Sequence, residues 1–381
     1  MSLGAYLAHR WNVILHSGFP IFFWVKPHWT VDEIPDQSGK VVVVTGGNSG
    51  TGYATCKALY EAGATVYLCC RDLTKGEKAV SDIKKGGVYG AAGLTYPESA
   101  PARKGSGSVQ CLELDLADLN SVARFAEDFK RREKRLDLLF ANAGVMASPE
   151  GLFTKQGYTL QFGTNTLGHQ RLIAHLLPLL LQTARDHPES LPRVLSVSSA
   201  GHTAAPPGGF DAKSVVRDPS LSTDAGADGK PQRGPNEHQK WVEYGQSKWG
   251  NVAIVRYLHW LYGPDAGRPK HDVKGEREGE GEIISIALHP GIVATNLAQH
   301  MTISAYLLKI NWIAALFSKT ADIGASNQLW AATVPEAEAR KLSGEYIVPF
   351  QSVGVARPDL DDPARVQEMW DWCELQGKRF E

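Results

Sequence analysis

The chain has 381 residues, with 40 basic and 41 acidic side chains and a net charge of -1. A chain this long can bury a self-sufficient core, and 43% apolar with 21% charged residues excludes a disordered polypeptide. The lack of a basic excess argues against nucleic acid as a partner. Five cysteines (Cys56, Cys69, Cys70, Cys111, Cys373) are too few, and odd in number, for a secreted disulfide scaffold. With no C-x-x-C pair and no H-E-x-x-H, no metal site is expected. The expected location is intracellular, either cytoplasmic or peripherally membrane-associated, and not secreted.

Residues 1–37 read as an apolar N-terminal arm. Its centre, Trp11 to Val25 (WNVILHSGFPIFFWV), is interrupted by Asn12, His16, Ser17 and Pro20. It falls short of the ~20 apolar residues of a spanning helix, and it lacks the basic region and cleavage site of a secretory leader. Trp11, Trp24 and Trp29 suit an arm packed on the protein or on a partner subunit, and equally a peripheral membrane contact. Both readings stay open.

Lys40 to Thr45 (KVVVVT) is an uninterrupted β-branched run, the pattern of a strand covered on both faces of a parallel sheet. A Gly-rich turn follows, then a helix over Tyr53 to Ala62 stopped by Gly63, then a strand over Thr65 to Cys70. Together these make a βαβ unit. Further strands are predicted over Val109 to Leu114, Leu136 to Ala141, Arg193 to Val197, Ile283 to Leu288 and Glu345 to Val348. Helices are predicted over Leu119 to Arg132, Tyr158 to Thr183, Trp241 to Tyr262 and Ala321 to Ala332. This alternation implies an α/β fold: a doubly wound parallel sheet with helices on both faces, one domain over residues 38–350.

Gly86–Ser108, His202–Gln239 and Gly263–Gly281 are rich in Gly, Pro or charge and read as surface insertions, since the alternation resumes after each. The basic cluster Lys130, Arg131, Arg132, Lys134 and Arg135 reads as the solvated end of a helix. Residues 351–381 form a tail in which Val366, Met369, Trp370 and Cys373 recur at helical spacing.

Thr45 to Gly52 reads T-G-G-N-S-G-T-G between a strand and a helix. Glycines there permit positive φ and let backbone N–H groups approach a pyrophosphate, while the helix N-terminus adds partial positive charge. A P-loop would need Lys where Tyr53 stands, and G-x-G-x-x-G fails because Thr55 stands where a third glycine belongs.

The spacing T-G-x-x-x-G-x-G resembles the short-chain dehydrogenase/reductase family, and further elements follow in that family's order. Asn142-Ala143-Gly144 resembles its N-A-G element, and Asn165 its helix asparagine. Ser198-Ser199 resemble its serine pair, with Ser199 the better match to the catalytic member. Tyr244 and Lys248 form Y-x-x-x-K. His289-Pro290-Gly291, followed by Val293 and Thr295, resembles the turn that closes over nicotinamide. The resemblance implies a Rossmann-type sheet. It also implies a nucleotide site made by Thr45, Gly46, Asn48, Ser49, Gly50, Thr51, Gly52, Asn142, Ala143, Gly144, Tyr244, Lys248, Pro290, Gly291, Val293 and Thr295. Thr51 stands where the family usually carries an aliphatic residue. The stretch from Ser199 to Tyr244 is longer than is common, so a loop must be extruded beside the site.

Tyr244 and Lys248 stand four residues apart, on one helix face. A free phenol has a pKa near 10, and a neighbouring ammonium would depress it toward the working range. Tyr244 would then give a proton to a carbonyl oxygen, with Ser199 hydrogen-bonding the same oxygen. The resemblance adds that Lys248 binds ribose hydroxyls and that Asn165 holds a water in a proton relay. Serine-hydrolase chemistry is disfavoured because Ser199 lacks the G-x-S-x-G elbow.

Cofactor choice turns on the end of the second strand, where Cys70-Arg71-Asp72 resembles the retinol-dehydrogenase-like subgroup. That subgroup generally prefers NADP, whose 2′-phosphate Arg71 would pair; NAD is the less favoured cofactor. The alternative is an ion pair of Arg71 with Asp72 or Glu77. Asp115, with Leu116, resembles the position that contacts adenine, or Asp115 simply caps the next helix. Met301 to Phe317, within a lid over residues 293–318, is apolar apart from Lys309. An apolar lid implies a lipophilic aldehyde, ketone or alcohol as substrate. Family members often form homodimers or homotetramers through the helices carrying Asn165 and Tyr244. Two other functions stay open: a non-catalytic NADP-binding regulatory module, disfavoured because Tyr244 and Lys248 are present, and an epimerase or dehydratase, disfavoured by the turn spacing.

Overall fold

Val41 to Val44 have no exposed face: the first is 7% exposed and the other three 0%. Such a run needs an apolar layer on each side. The computed structural model describes residues 28–87, 107–149, 151–216, 237–264, 281–291 and 321–380. In chain order its elements are β1 (Val41–Thr45), α1 (Gly50–Glu61), β2 (Thr65–Cys70), α2 (Leu73–Lys84), β3 (Ser108–Glu113), α3 (Leu119–Arg132) and β4 (Leu138–Ala141). A helical turn (Leu160–Phe162) and a π turn (Gly163–Leu167) then lead into α4 (Gly168–Asp186). After these come β5 (Arg193–Val197), α5 (Glu237–Tyr262), β6 (Ile284–Leu288), α6 (Ala321–Thr333), α7 (Glu336–Leu342), β7 (Tyr346–Val348), β8 (Ser352–Val353) and α8 (Pro363–Gly377).

Among the described residues one eight-stranded sheet runs β3-β2-β1-β4-β5-β6-β7-β8. All pairings are parallel except β7 with β8. Alternate side chains of β1 serve the two faces. Val41 and Val43 join the core formed with α3, α4, α5 and α8, while Val42 and Val44 join the core formed with α1, α2, α6 and α7. The doubly wound parallel sheet expected from the β-then-α alternation is therefore the fold observed. Strand order reverses between β1 and β4, and the crevice beyond the carboxyl ends there is where such sheets bind ligands.

Several expectations need correction. β4 starts at Leu138 rather than Leu136, because Leu136 gives its N–H to Thr183 Oγ1 at 2.9 Å. The helix expected over Tyr158 to Thr183 begins only at Leu160, since Thr159 N–H is taken by the Val215 carbonyl at 2.9 Å. It is also broken by the π turn. Helix α2 was not anticipated, although Asp72 caps it by accepting from Lys75 N at 3.1 Å and Ala79, Val80 and Ile83 bury one stripe. Within the basic cluster Arg135 is not solvated: it grips the buried Asp137 at 2.8 Å, and α3 has already ended at Arg132.

No helix among the described residues is long and apolar enough to cross a membrane. Trp11 to Val25, the lid over 293–318, and most of the three insertions lie outside the described residues.

Candidate active site

The Gly-rich turn leaves β1 at Thr45 and becomes α1 at Gly50. Gly46 (φ 66°) and Gly50 (φ 54°) occupy the left-handed region that glycine tolerates. At Gly52 a Cβ would lie 2.4 Å from the Gly46 carbonyl oxygen and 2.6 Å from Asn142 Nδ2, so only glycine lets the turn close. The half-buried Asn48 and Ser49 complete it. The first helical bond is Tyr53 N–H to Ser49 O at 3.1 Å, and Ser49 makes no side-chain cap. The N–H groups of Gly50, Thr51 and Gly52 therefore precede the helical bonding pattern, as an anion-binding helix start requires.

Thr45 locks this turn to the end of β4. Its hydroxyl accepts Asn142 N–H and Ala143 N–H at 2.9 Å each, and its carbonyl accepts Asn142 Nδ2 at 2.8 Å. Thr51, the departure from an aliphatic residue, donates its hydroxyl to Asn142 Oδ1 at 2.9 Å. From α6, Gln328 donates to Thr55 Oγ1 and approaches the Thr51 carbonyl and Asn142 Oδ1, each at 3.4 Å. Sequence reasoning missed Gln328, for no motif distinguishes it from any other helical glutamine.

Four further side chains converge on the carboxyl ends of β4 and β5. Ser199 follows β5 and is half-buried; its Oγ accepts Gly201 N–H at 3.1 Å, and a Cβ on Gly201 would lie 3.4 Å from that oxygen and 2.8 Å from Tyr244 Cε1. The serine pair divides its work: Ser198 Oγ donates to the Lys248 carbonyl at 2.7 Å and is buried. Tyr244 and Lys248 are both 4% exposed on α5, and Lys248 Nζ donates to the Val197 carbonyl at 2.9 Å. Asn165 sits in the π turn. Its Oδ1 accepts Val145 N–H at 2.8 Å, and its Nδ2 donates to Val145 O at 2.9 Å and Ser247 Oγ at 3.0 Å. A Cβ on Gly144 would come within 3.2 Å of Asn165 Oδ1 and 3.4 Å of Lys248 Nζ. The structure thus brings Asn165, Ser199, Tyr244, Lys248 and the Asn142-Ala143-Gly144 segment into one crevice.

The family model for short chain dehydrogenase matches residues 40–96. A short-chain dehydrogenase/reductase of Armillaria gallica is 38% identical over 374 residues, covering 98% of this chain and 100% of the relative. The chain belongs to the short-chain dehydrogenase/reductase family. It is thus an oxidoreductase acting on CH–OH groups with a nicotinamide dinucleotide. Retinol dehydrogenase 14 of Homo sapiens is 31% identical over 88% of this chain and 86% of the relative. Among solved structures, a protein from Mycobacterium paratuberculosis aligns with TM-score 0.58 and 27% identity, covering 92% of this chain and 97% of that one.

Burial governs the charges of this dehydrogenase crevice. It pushes the Tyr244 phenol up to about 12, against the opposing pull of the Ser199 hydrogen bond, and pushes Lys248 down to about 7. The expected depression of the phenol by a neighbouring ammonium is not what the chain itself shows. Desolvation dominates, and Tyr244 carries its proton at neutral pH.

The remaining expected residues are more scattered. Arg71 is exposed at the end of β2, and no ion pair with Asp72 or Glu77 occurs among the described residues; Asp72 instead pairs with Lys75 at 3.5 Å. Asp115 does not cap α3: that cap is Asp118, which accepts Asn120 N–H at 3.1 Å. Asp115 accepts Ala117 N–H at 2.9 Å, and the Leu116 side chain is buried in the core. Pro290 and Gly291 (φ 83°) continue from β6, and the preceding His289 carbonyl is held by Asn327 Nδ2 at 2.9 Å. Val293 and Thr295 lie outside the described residues.

Proposed function

We propose that this enzyme interconverts a lipophilic aldehyde or ketone and its alcohol with NADP(H), using Tyr244 as general acid and base. The observation that carries the reading is the convergence of three side chains: Lys248 Nζ lies 5.8 Å from the Tyr244 ring centroid, and Gly201 brings its backbone against both Tyr244 Cε1 and Ser199 Oγ. The turn from Thr45 to Gly52 fits a pyrophosphate through its free helix-start N–H groups. Asn142 to Gly144, Pro290 and Gly291 would hold the nicotinamide end, and Asp115 with the backbone of Leu116 would hold the adenine end. A bound NADPH supplies the hydride.

Tyr244 donates its proton to the substrate carbonyl oxygen, and Ser199 hydrogen-bonds the same oxygen as negative charge develops there. Lys248 assists by binding ribose hydroxyls, and its protonated form favours the Tyr244 phenolate. Asn165 braces the loop at Val145 against α5 at Ser247. In the oxidative direction Tyr244 takes the alcohol proton instead.

Arg71 supports NADP over NAD: an exposed guanidinium without a carboxylate partner at the end of β2 suits a 2′-phosphate. The apolar stretch Met301 to Phe317 and the name of the human relative both favour a lipophilic substrate. A homodimer or homotetramer through α4 and α5 has to accommodate α8, which packs on both, with Arg171 to Glu374 at 2.5 Å and Tyr257 stacked on Trp370 at 4.1 Å.

The test is oxidation of NADPH against NADH over a panel of medium-chain aldehydes, ketones and retinal. Turnover that prefers NADPH supports the reading. NADPH binding with no turnover on any member of the panel counts against the substrate class, and equal use of NADH counts against the role of Arg71.

A further inference from the structure

His169 is 0% exposed and bridges two parts of the site described above. Its Nδ1 lies 2.9 Å from the Asn165 carbonyl oxygen, and its Nε2 lies 2.9 Å from Thr45 Oγ1. A carbonyl oxygen can only accept, so Nδ1 carries the hydrogen; Nε2 of a neutral ring is then an acceptor, and the Thr45 hydroxyl is its donor. Thr45 Oγ1 has two acceptors in reach of its one hydrogen, His169 Nε2 at 2.9 Å and the Phe140 carbonyl at 3.1 Å. A bare Nε2 at the shorter distance needs that hydrogen to avoid facing a lone pair. The hydroxyl's own lone pairs take Asn142 N–H and Ala143 N–H. Both hydrogens of Asn165 Nδ2 go to Val145 O and Ser247 Oγ, and its Oδ1 takes Val145 N–H. The main-chain carbonyl is therefore the part of Asn165 that His169 can reach and steady.

The π turn makes this contact consequential. There the backbone bonds skip to the fifth residue, as in Gly168 N–H to Gly163 O, so Asn165 sits on a widened helix. Thr166 Oγ1 also fastens this turn to the Ser247 carbonyl at 2.7 Å, between Tyr244 and Lys248 on α5. Burial pushes His169 down to about 4, with the positive charge of Lys248 adding to the effect, in accord with a neutral ring.

We infer that His169 is a positioning residue of the reductase site: as the Nδ1–H tautomer it holds the Asn165 carbonyl with one ring nitrogen and the Thr45 hydroxyl with the other, tying the π turn to the nucleotide-binding turn. The inference rests on the reductase reading for its kinetic consequence, but not for its chemistry. An asparagine at 169 can place a donor near the Nδ1 position, and a glutamine can place an acceptor near Nε2. Losing the Thr45 contact costs little, because that hydroxyl has the Phe140 carbonyl at 3.1 Å as a second acceptor. Losing the Asn165 contact leaves the π turn unsupported beside Tyr244 and Lys248.

Two measurements on the full-length enzyme test this. In nitrogen-15 spectra of histidine-labelled protein at pH 7, assigned by the missing signal in His169→Gln, His169 shows a protonated Nδ1 and a bare Nε2. A protonated Nε2 with bare Nδ1, or a cationic ring, overturns the inference whether or not any substrate turns over. With nonanal and NADPH, His169→Gln lowers kcat about tenfold at unchanged NADPH affinity, while His169→Asn stays within about twofold of the parent. Equal losses in the two variants, or a loss in NADPH affinity rather than in kcat, also overturn it. A parent enzyme inactive on the whole carbonyl panel refutes the reductase reading alone, and the spectrum still decides the tautomer.

Discussion

Lys248 Nζ lies 5.8 Å from the centroid of the Tyr244 ring, and both residues are buried on one face of α5. Burial disfavours each charged form, so the phenol keeps its proton and the ammonium is easily lost. The resting chain is thus set to donate a proton from Tyr244. The Val197 carbonyl fixes the lysine, and Gly201 and Trp241 pack against the tyrosine ring.

Tyr244→Phe removes the donor while preserving the ring that packs over Gly201, where a Cβ would come within 2.8 Å of Tyr244 Cε1. Carbonyl reduction is expected to fall by about two to four orders of magnitude, the usual range for a positioned general acid. NADPH binding, followed by fluorescence titration, should change by less than threefold. Ser199→Ala should lower kcat by about one to two orders without displacing NADPH. Tyr244→Phe retaining a tenth or more of the parent activity would remove the tyrosine from the chemistry.

Lys248 also shapes stability against pH. Its folded value, about 7, lies below the ordinary lysine value of 10.5, so between these pH values the unfolded chain binds more protons than the folded one. Stability from this group rises with pH across that window, by at most about 1.4 kcal/mol per pH unit. Lys248→Met has no such dependence. Urea unfolding without nucleotide should show the parent gaining on the variant between pH 7.5 and pH 9.5. A constant difference at the two pH values would mean that the lysine is not held in its neutral form.

Sequence patterning exposed the core sheet because a parallel strand buried on both faces leaves a continuous β-branched run, as at Val41–Val44. The crevice residues Ser199, Tyr244 and Lys248 were legible through their resemblance to the family's serine pair and Y-x-x-x-K, which follow the Gly-rich turn in the family's order. The π turn was not: it needs no unusual residue, and Gly163 to Leu167 look like ordinary helix. Gln328 and His169 act through contacts 186 and 124 residues away, to Asn142 and Thr45, which no local pattern encodes. Helix α2 escaped notice because its buried stripe is narrow and includes Gly76, a weak helix former. That glycine is forced by packing, for a Cβ would sit 2.1 Å from Cys111 Sγ.

The C-terminal helix α8 is part of the fold's stability. Trp370 is 5% exposed and stacks on Tyr257 of α5 at 4.1 Å between centroids and 13° between planes. Trp370→Ala should destabilise the enzyme by about 3–5 kcal/mol through lost burial and the cavity left behind. Leu375→Ala, on the same helix but 56% exposed, should change stability by less than about 0.5 kcal/mol. Denaturant midpoints measure both. Equal shifts in the two variants would mean that α8 does not dock through Trp370.

Arg71 tests cofactor selection. It follows β2 at the point where nicotinamide enzymes read the adenosine ribose, and its guanidinium is exposed and free of carboxylate partners among the described residues. Asp72, its neighbour, is committed to capping α2 and to Lys75, so it is poorly placed to take the ribose hydroxyls that NAD would present. A charge-assisted pair with a phosphate at such a site is worth roughly 1.5–3 kcal/mol, or about ten- to a hundredfold in affinity. Arg71→Ala should therefore raise the KM for NADPH by that factor, leave the KM for NADH within about twofold, and leave kcat at saturation unchanged. Arg71→Lys should fall between the two, since an ammonium keeps the charge but loses the fork that matches two phosphate oxygens. An unchanged NADPH preference in Arg71→Ala would move the selectivity to residues beyond β2. A parallel loss with both nucleotides would make Arg71 a structural support of the turn rather than a reader of the 2′-phosphate.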